Sequence, residues 1–422
     1  MTVPADARTR HVRWVAPLCW AAVALEGFDL VVLGVVLPSL LKEPAWGLDP
    51  NSASLISVVG LLGVAAGALS VGPVSDLFGR RGAMLVTVSG FSLCTLLCAF
   101  ADGPWLFGVL RFLAGLGLGG VLPIALALST EYARTGRGGS ATTVLMTGYH
   151  AGAVLTALLG IFVLERFGWP WMFVLGAAPA LVLVPLMVKF LPESAAFLRI
   201  RGASATRAVR PRNPAAVLFR HGYARATIAF WMTSFMGLLL VYGLNTWLPE
   251  IMRAAGYELG TALALLLVLN VGAVLGLLIG GRVADRIGQR RAAVVWFSAA
   301  AVSLALLSIK LPGLSIYAGV LLAGVFTFSA QVLVYAHAAQ VYPAAARATG
   351  LGAASGIGRF GGISGPMVTG VLLTAGLAYP WGFYLFAVVA AIGAVAIAAV
   401  DRGPAPDAPV ATPLRDERRV SG

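Results

Sequence analysis

The sequence is poor in charge and in cysteine. Only 11% of its 422 residues are charged, whereas 59% are hydrophobic. A soluble protein of this length needs a charged surface that this composition does not supply. The three cysteines, Cys19, Cys94 and Cys98, all lie in apolar stretches without neighbouring metal ligands. This placement favours buried structural thiols over a metal site or a disulfide.

The apolar residues form continuous runs of roughly 20 or more, the length that a helix needs to cross a bilayer. The runs do not alternate with period two, as strands of a membrane barrel would. Because only helices and closed barrels span lipid, the sequence predicts an all-α membrane protein. Hydropathy and polar breaks place twelve transmembrane helices at 14–41, 51–74, 82–101, 104–130, 140–164, 169–191, 224–249, 258–281, 292–311, 313–341, 347–375 and 379–400.

One long polar segment divides these helices six and six. It predicts an N-terminal six-helix bundle over 1–191, a central loop over 192–223, a C-terminal six-helix bundle over 224–400 and a tail over 401–422. The net charge of +13 is spread over short basic clusters in alternate loops, including both termini. This distribution excludes a nucleic-acid-binding surface and follows the positive-inside rule. We therefore expect a multi-pass protein of the cell (inner) membrane, with the central loop, the tail and both termini in the cytoplasm.

The two halves repeat each other. "GPVSDLFGRR" follows the second predicted helix and "GRVADRIGQRR" follows the eighth, which places Asp76 and Asp285 209 residues apart. Tyr132 and Tyr342, after the fourth and tenth helices, are 210 residues apart. Because two separate motifs recur at nearly the same spacing, the sequence indicates a duplicated six-helix unit. Such pseudo-symmetric bundles bind their substrate between the halves, near the middle of the membrane.

Four ionisable residues interrupt the apolar runs at depth: Glu26 and Asp29 in the first predicted helix, Arg111 in the fourth and Arg359 in the eleventh. A charge at the bilayer centre costs about 2.5–3.5 kcal/mol even on an insertion scale, so each needs a partner or a function. Glu26 and Asp29 are three residues apart and are expected to share one helix face. An ion pair between Asp29 and Arg111 that only holds helices in register is the structural alternative.

We predict that Asp29 is the chief proton-carrying group, with Glu26 as its helper, since a buried carboxyl near an arginine is poised to gain and lose a proton. Arg359, with Arg111 as the alternate, offers planar paired donors that suit a carboxylate. Tyr242 and Asn245, and then Gln331 and Tyr335, are polar pairs one turn apart in apolar helices and are expected to contact a bound substrate. Each of these four side chains could equally be a packed polar residue.

Two glycine-rich stretches match the sequence pattern of nucleotide-binding loops but not the structural context that such loops require. "GIGRFG" (356–361) and "GLGLGG" (115–120) lie inside apolar helices and follow no strand, so they are interpreted as small-residue faces for close helix packing. The sequence holds no metal-ligand spacing and no catalytic constellation. It therefore predicts no metal, no cofactor and no enzymatic activity.

With these features, the chain resembles the major facilitator superfamily, whose fold has two pseudo-symmetric six-helix bundles. In that family the loop after the second helix acts as a cytoplasmic latch. The resemblance assigns gating to Asp76, Arg80 and Arg81, and less closely to Asp285, Arg290 and Arg291 in the second copy.

More narrowly, "EGFDLVVLGVVLPSL", "RFLAGLGLGGVLPIALALSTEYA", "LPES", "TWLPEIMRAAGY" and "YPAAARATGLGAASGIGRFGGISGP" resemble the aromatic acid:proton symporters. That family needs both first-helix acids, which here are Glu26, where the family has Asp, and Asp29. Arg111 and Glu131 also match family positions, and Glu131 joins the expected gating residues. The resemblance implies a monomeric proton-coupled importer of benzoate-like acids, with substrate, protons and lipid as its partners.

Other functions remain open at this point. A proton-driven drug exporter and a sugar porter share the fold. A drug exporter would favour a broad apolar cavity, and a sugar porter would carry more Asn and Gln side chains in its helices. A non-transporting membrane receptor is a more distant alternative, and the short central loop and tail carry no recognisable signalling domain.

Overall fold

A computed structural model shows an all-helical chain. The structure describes residues 5–132, 138–194, 197–198, 218–219, 223–310, 313–342 and 344–400. Within these ranges, side chains are described except at 5–11, 72–74, 76–78, 138–143 and 344–349. Most of the predicted central loop and the whole predicted tail lie outside the described residues, so the domain limits remain predictions.

The N-terminal half contains six helical spans. They are α1 (Ala5–Leu40), α2 (Pro50–Phe78), α3 (Arg80–Cys98), α4 (Pro104–Glu131), α5 (Gly138–Phe167) and α6 (Pro170–Phe190). The last of these is interrupted at Ala178 and Pro179 and continues in the same span. At the start of α2, Asp49 caps the helix by accepting a hydrogen bond from Ser52 N at 2.9 Å. The hydrogen bonds from Ser52 lower the pKa of the exposed Asp49 carboxyl.

The C-terminal half repeats this order. Its helices are α7 (Tyr223–Ala254), α8 (Leu259–Ile287), α9 (Gln289–Leu306), α10 (Ser315–Val341), α11 (Ala344–Thr374) and α12 (Trp381–Ala398). In the described ranges, ten of the twelve spans are long and apolar enough to cross a membrane, and α9 and α11 are the two outside that set. The prediction of twelve helices in two six-helix sets is confirmed, with most ends shifted by a few residues.

The two repeated motifs form turns of one residue rather than loops. Gly79, with φ of 101°, joins α2 to α3, and Gly288, with φ of 89°, joins α8 to α9. Residues that carry a side chain rarely adopt a backbone conformation with such a positive φ, so glycine is required at both turns. The two glycines are 209 residues apart, which adds a third landmark to the repeat. We call the end of the bundle that holds these turns the motif end, and the end that holds Asp49 the opposite end.

Within each half, equivalent helices pack closely: α1 on α5 and α2 on α4 in the first half, α7 on α11 and α8 on α10 in the second. Glycines permit this approach. A Cβ at Gly115 or Gly119 would overlap the backbone of α2, and one at Gly361 would overlap the backbone of α7. The expected role of the two glycine-rich stretches in close helix packing is therefore confirmed.

The halves meet through α2 with α11, α5 with α8, and α1 with α7. Ser54 Oγ donates a hydrogen bond to the carbonyl oxygen of Pro366 at 3.1 Å across this boundary. Gly34 lies directly against the backbone carbonyl of Asn245, where a Cβ would overlap that oxygen. These contacts lie nearer the opposite end than the motif end of their helices, and the groups described next lie between the two ends.

Candidate functional site

Arg359 of α11 is the cation at the centre of the contact between the halves. Its Nη1 donates a hydrogen bond to the hydroxyl oxygen of Tyr242, on α7, at 3.2 Å. Gly358 and Gly361 allow this contact because they bring α11 against the α7 backbone. Arg359 also interacts electrostatically with Tyr335 of α10.

Glu26 reaches the same place from α1 in the other half. Its side chain is buried, with 4% of its surface exposed, and its charge interacts with that of Arg359. Its Oε2 atom has no hydrogen-bond partner among the described residues. Tyr149 of α5 lies beside it, because Gly27 allows α1 to contact the α5 backbone at Tyr149.

These five residues form what we call the central cluster: Glu26, Tyr149, Tyr242, Tyr335 and Arg359. Two come from the N-terminal half and three from the C-terminal half. A single cation, a single acid and three phenol rings are thus assembled at mid-depth between two bundles. The guanidinium can pair with a carboxylate, and the phenol rings offer flat apolar faces with hydroxyl groups at their edges.

Asp29 points to a different set of groups. It pairs with Arg111 through Oδ1 and accepts a hydrogen bond from Thr95 Oγ1 at 2.7 Å through Oδ2. Arg111 Nη2 also donates to the carbonyl oxygen of Asp29 at 3.0 Å. Both charged side chains are buried, at 2% and 4% exposure. The pair thus lies among α1, α3 and α4 of one half, so Asp29 contacts other groups than Glu26 does.

A small cavity separates this ion pair from the central cluster. Arg111 and Tyr242 both line it, together with Ser57 and Thr246, and its volume of about 20 Å³ can hold one water molecule. The Nε atom of Arg111 is buried and has no partner among the described residues. The two sites are therefore neighbours across a small cavity whose lining is partly polar.

Asn245 and Gln331 are not brought into the central cluster. Asn245 Oδ1 accepts a hydrogen bond from Asn270 Nδ2 at 3.0 Å, and Asn270 Oδ1 lies 3.4 Å from His150 Nδ1. This chain of polar groups links α7, α8 and α5 across the halves. Gln331 is buried against Gly237, between α10 and α7. Its amide atoms have no partner in the described part of the chain.

At the motif end of the N-terminal half, the expected gating residues meet a carboxylate from the segment after α6. Glu193 Oε1 accepts hydrogen bonds from the backbone N–H groups of Arg80 and Arg81, at 2.8 and 3.1 Å. Arg80 pairs with Glu131, which also accepts a hydrogen bond from Ser194 Oγ at 2.8 Å. Glu193 therefore caps the first turn of α3. The side chain of Asp76 lies outside the described residues.

The C-terminal half reproduces one part of this arrangement. Arg81 donates to the carbonyl oxygen of Val188 at the end of α6, and Arg290 donates to that of Ala398 at the end of α12. The arginines are 209 residues apart and their acceptors 210. Each arginine therefore holds the last helix of its half to the turn after the second.

The ion pair is not repeated. By the 209-residue period Gln289 takes the position of Arg80, and by the 210-residue period Val341 takes that of Glu131. Asp285 and Arg291 are exposed. By position, Arg290 thus corresponds to Arg81, whereas Arg291 lies one residue beyond the repeated pair.

Sequence reasoning missed Thr95, Glu193 and Ser194. Thr95 lies in an apolar helix, and a lone threonine carries no signal of its own. Glu193 and Ser194 belong to "LPES", which marked the family resemblance but not a contact with α3. That contact joins residues more than 100 positions apart, and no local pattern shows it.

Comparison with known proteins identifies relatives of the whole chain. The family model described as Major Facilitator Superfamily matches residues 19–366 and 259–421. The benzoate transport protein of Acinetobacter baylyi is 34% identical over 93% of this chain and 90% of its own. The gentisate transporter of Corynebacterium glutamicum is 36% identical over 91% and 86%. The 4-hydroxybenzoate transporter PcaK of Pseudomonas putida is 32% identical over 89% and 88%.

Solved structures show the same architecture at lower identity. A D-xylose-proton symporter superposes with a TM-score of 0.76 at 17% identity, over 91% of this chain and 96% of its own. A bacterial homologue of the human lysosomal transporter Spinster, in an inward-facing conformation, gives a TM-score of 0.70 at 18% identity, over 92% and 98%.

Proposed function

Because this chain belongs to the Major Facilitator Superfamily, a family of transporters rather than enzymes, we propose that it imports small aromatic carboxylates together with protons. The chain is a multi-pass membrane protein related to aromatic acid transporters. Relatives named for benzoate, gentisate and 4-hydroxybenzoate support this class of substrate. Each of those compounds combines one carboxylate with one small aromatic ring.

The observation that carries the proposal is the placement of Arg359 between the halves, bonded to Tyr242 and facing Glu26. The substrate carboxylate binds Arg359, and the ring lies among the phenol side chains of Tyr149, Tyr242 and Tyr335. A sugar porter would need free amides at this place. Here Asn245 accepts a hydrogen bond from Asn270, Gln331 lies outside the central cluster, and an arginine occupies the centre.

Proton coupling follows from the number of charges in the central cluster. Glu26 supplies one negative charge to Arg359, and an incoming carboxylate adds a second within a poorly hydrated space. Two carboxylates beside one guanidinium repel each other, and a proton on Glu26 removes that repulsion. Proton and anion therefore bind together. In this mechanism Glu26 exchanges the proton, and Asp29 acts in coupling by holding Arg111 beside the cavity that Tyr242 also lines.

The transport cycle uses the two ends of the bundle. We assign the motif end, with its basic residues, to the cytoplasm, which places both termini there. The contacts at Gly34 and Ser54 lie toward the opposite end, and we take that end as the closed one. Rocking the halves would break the contact at Ser54, while α1 turns against α7 at Gly34. The assemblies around Glu193 and Arg290 keep each motif-end turn rigid while the halves move.

The proposal is tested by uptake of labelled benzoate and 4-hydroxybenzoate into proteoliposomes under an imposed pH gradient. Arg359→Gln should raise the KM at least tenfold, because a charge-assisted bidentate pair is lost. Glu26→Gln should abolish gradient-driven accumulation and retain exchange of internal for external substrate. Glu165→Gln and Arg282→Gln alter exposed residues and serve as matched controls.

Asp29→Asn should lower accumulation and exchange together, because it displaces Arg111 rather than removing the exchangeable proton. The function is refuted if neither acid accumulates in response to the gradient. The role of Glu26 is refuted if Glu26→Gln accumulates substrate like the parent protein.

A further inference from the structure

A second pocket lies at the motif end of the C-terminal half, away from the central cluster. It has a volume of about 770 Å³ and is bounded by the start of α9 and by the ends of α8, α10 and α12. Arg290, Arg291 and His337 contribute its basic wall. Ile287 and Val295, both exposed, contribute an apolar wall. The pocket is not part of the proposed substrate site, although Arg290 also holds the end of α12.

Two polar side chains of the pocket have atoms without hydrogen-bond partners among the described residues. His337 is 8% exposed, and neither of its ring nitrogens has a hydrogen-bond partner in the described part of the chain. The Oε1 atom of Gln289 is likewise without a described partner. Burying such groups costs free energy unless something bonds to them. At the start of α9, the structure records no side-chain cap among the described residues.

The internal repeat shows what occupies the equivalent place in the other half. There the carboxylate of Glu193 accepts hydrogen bonds from the first N–H groups of α3, beside Arg80 and Arg81. In the second half, a displacement of 209 or 210 residues from Glu193 leads to Arg402 or Gly403. Both lie outside the described residues, and neither is an acid. Among the described residues, the start of α9 thus keeps the positive groups of the motif without a carboxylate placed like that of Glu193.

We propose that this pocket binds the phosphate group of an anionic phospholipid. The N-terminal N–H groups of α9 and the guanidinium groups of Arg290 and Arg291 supply the donors that a phosphate needs. His337 adds a ring N–H. Arg290 uses one nitrogen on Ala398 and retains others for the ligand. The apolar wall accommodates an acyl chain, and a basic pocket between transmembrane helices suits an anionic headgroup.

The site is tested with the full-length protein in zwitterionic nanodiscs. Phosphatidylglycerol is titrated in, and the lipid retained on the released protein is counted by native mass spectrometry. Arg291→Gln and His337→Leu should each weaken phosphatidylglycerol retention at least fivefold relative to the parent. Arg282→Gln is the matched control, since it removes an exposed arginine of the same basic cluster that does not line the pocket. It should retain the lipid like the parent.

Two outcomes overturn the proposal. Equal losses in Arg291→Gln and Arg282→Gln would mean that only the general positive charge of this end attracts the lipid. The second outcome is that millimolar inorganic phosphate displaces the lipid and stabilises the protein against heat as much as the lipid does. This result would identify a soluble anion as the ligand. Neither readout involves the transported acid, so this proposal and the proposed function fail independently.

Discussion

The buried pair of Asp29 and Arg111 should make a large and non-additive contribution to stability. Asp29→Asn leaves the guanidinium of Arg111 buried without its counter-charge, and Arg111→Met leaves the carboxylate with Thr95 as its one described donor. Removing one partner of a buried pair costs about 3–5 kcal/mol. Each single variant should therefore lose a factor of about 10² to 5 × 10³ in its folding equilibrium.

The double variant Asp29→Asn/Arg111→Met removes both charges and should be more stable than either single variant, because no unpaired charge remains. Thr95→Val keeps the pair and should cost about 1.5–3 kcal/mol, the value of a hydrogen bond to a charged group. The measurement is reversible unfolding of the purified protein in mixed micelles, followed by circular dichroism. If the losses of the two single variants simply add in the double variant, the two side chains act independently and the reasoning fails.

Three further predictions concern other parts of the molecule. Glu193→Ala should lower the free energy of unfolding by about 0.5–2 kcal/mol through loss of the α3 cap, measured in the same assay, and no change would contradict the capping role. Tyr242→Phe should raise the KM for benzoate several-fold in proteoliposomes with little change in kcat, since Arg359 loses a described hydrogen-bond partner; a change confined to kcat would contradict this. Gly34→Ala should separate α1 from α7 and increase labelling of a cysteine placed at Ser54 from outside; unchanged labelling would show that this contact does not close that end.

The helices and the repeat could be predicted from sequence because both are encoded locally. A long apolar run must be a helix in lipid, and equal spacing of two motifs shows duplication whatever the packing. The reach between Asp29 and Arg111 could also be estimated from helix rise alone. The structure shows this pair, which is the arrangement considered as the structural alternative. The proton-coupling and substrate-binding roles remain predictions.

The orientation of side chains around each helix could not be predicted in the same way. Glu26 and Asp29 are three residues apart, a difference of about 60° around a helix, yet the two side chains contact different groups. Asn245 is one turn from Tyr242, yet it bonds to Asn270 and stays outside the central cluster. These outcomes depend on which neighbouring helix occupies each side. That information is held in contacts between distant segments.

The direct backbone contact at Gly34 has a consequence for the size of the motion. The backbones of α1 and α7 touch there without an intervening side chain, so the contact can act as the pivot about which α1 rotates. From Gly34 the axis of α1 extends about 44 Å to Ala5, whereas Glu26 is only about 12 Å away. A tilt of about 15°, the scale of known subunit rotations, would swing the far end through about 11 Å but carry Glu26 only about 3 Å from Arg359. One rotation would then produce both a wide opening at the motif end and a small change in the distance between Glu26 and Arg359.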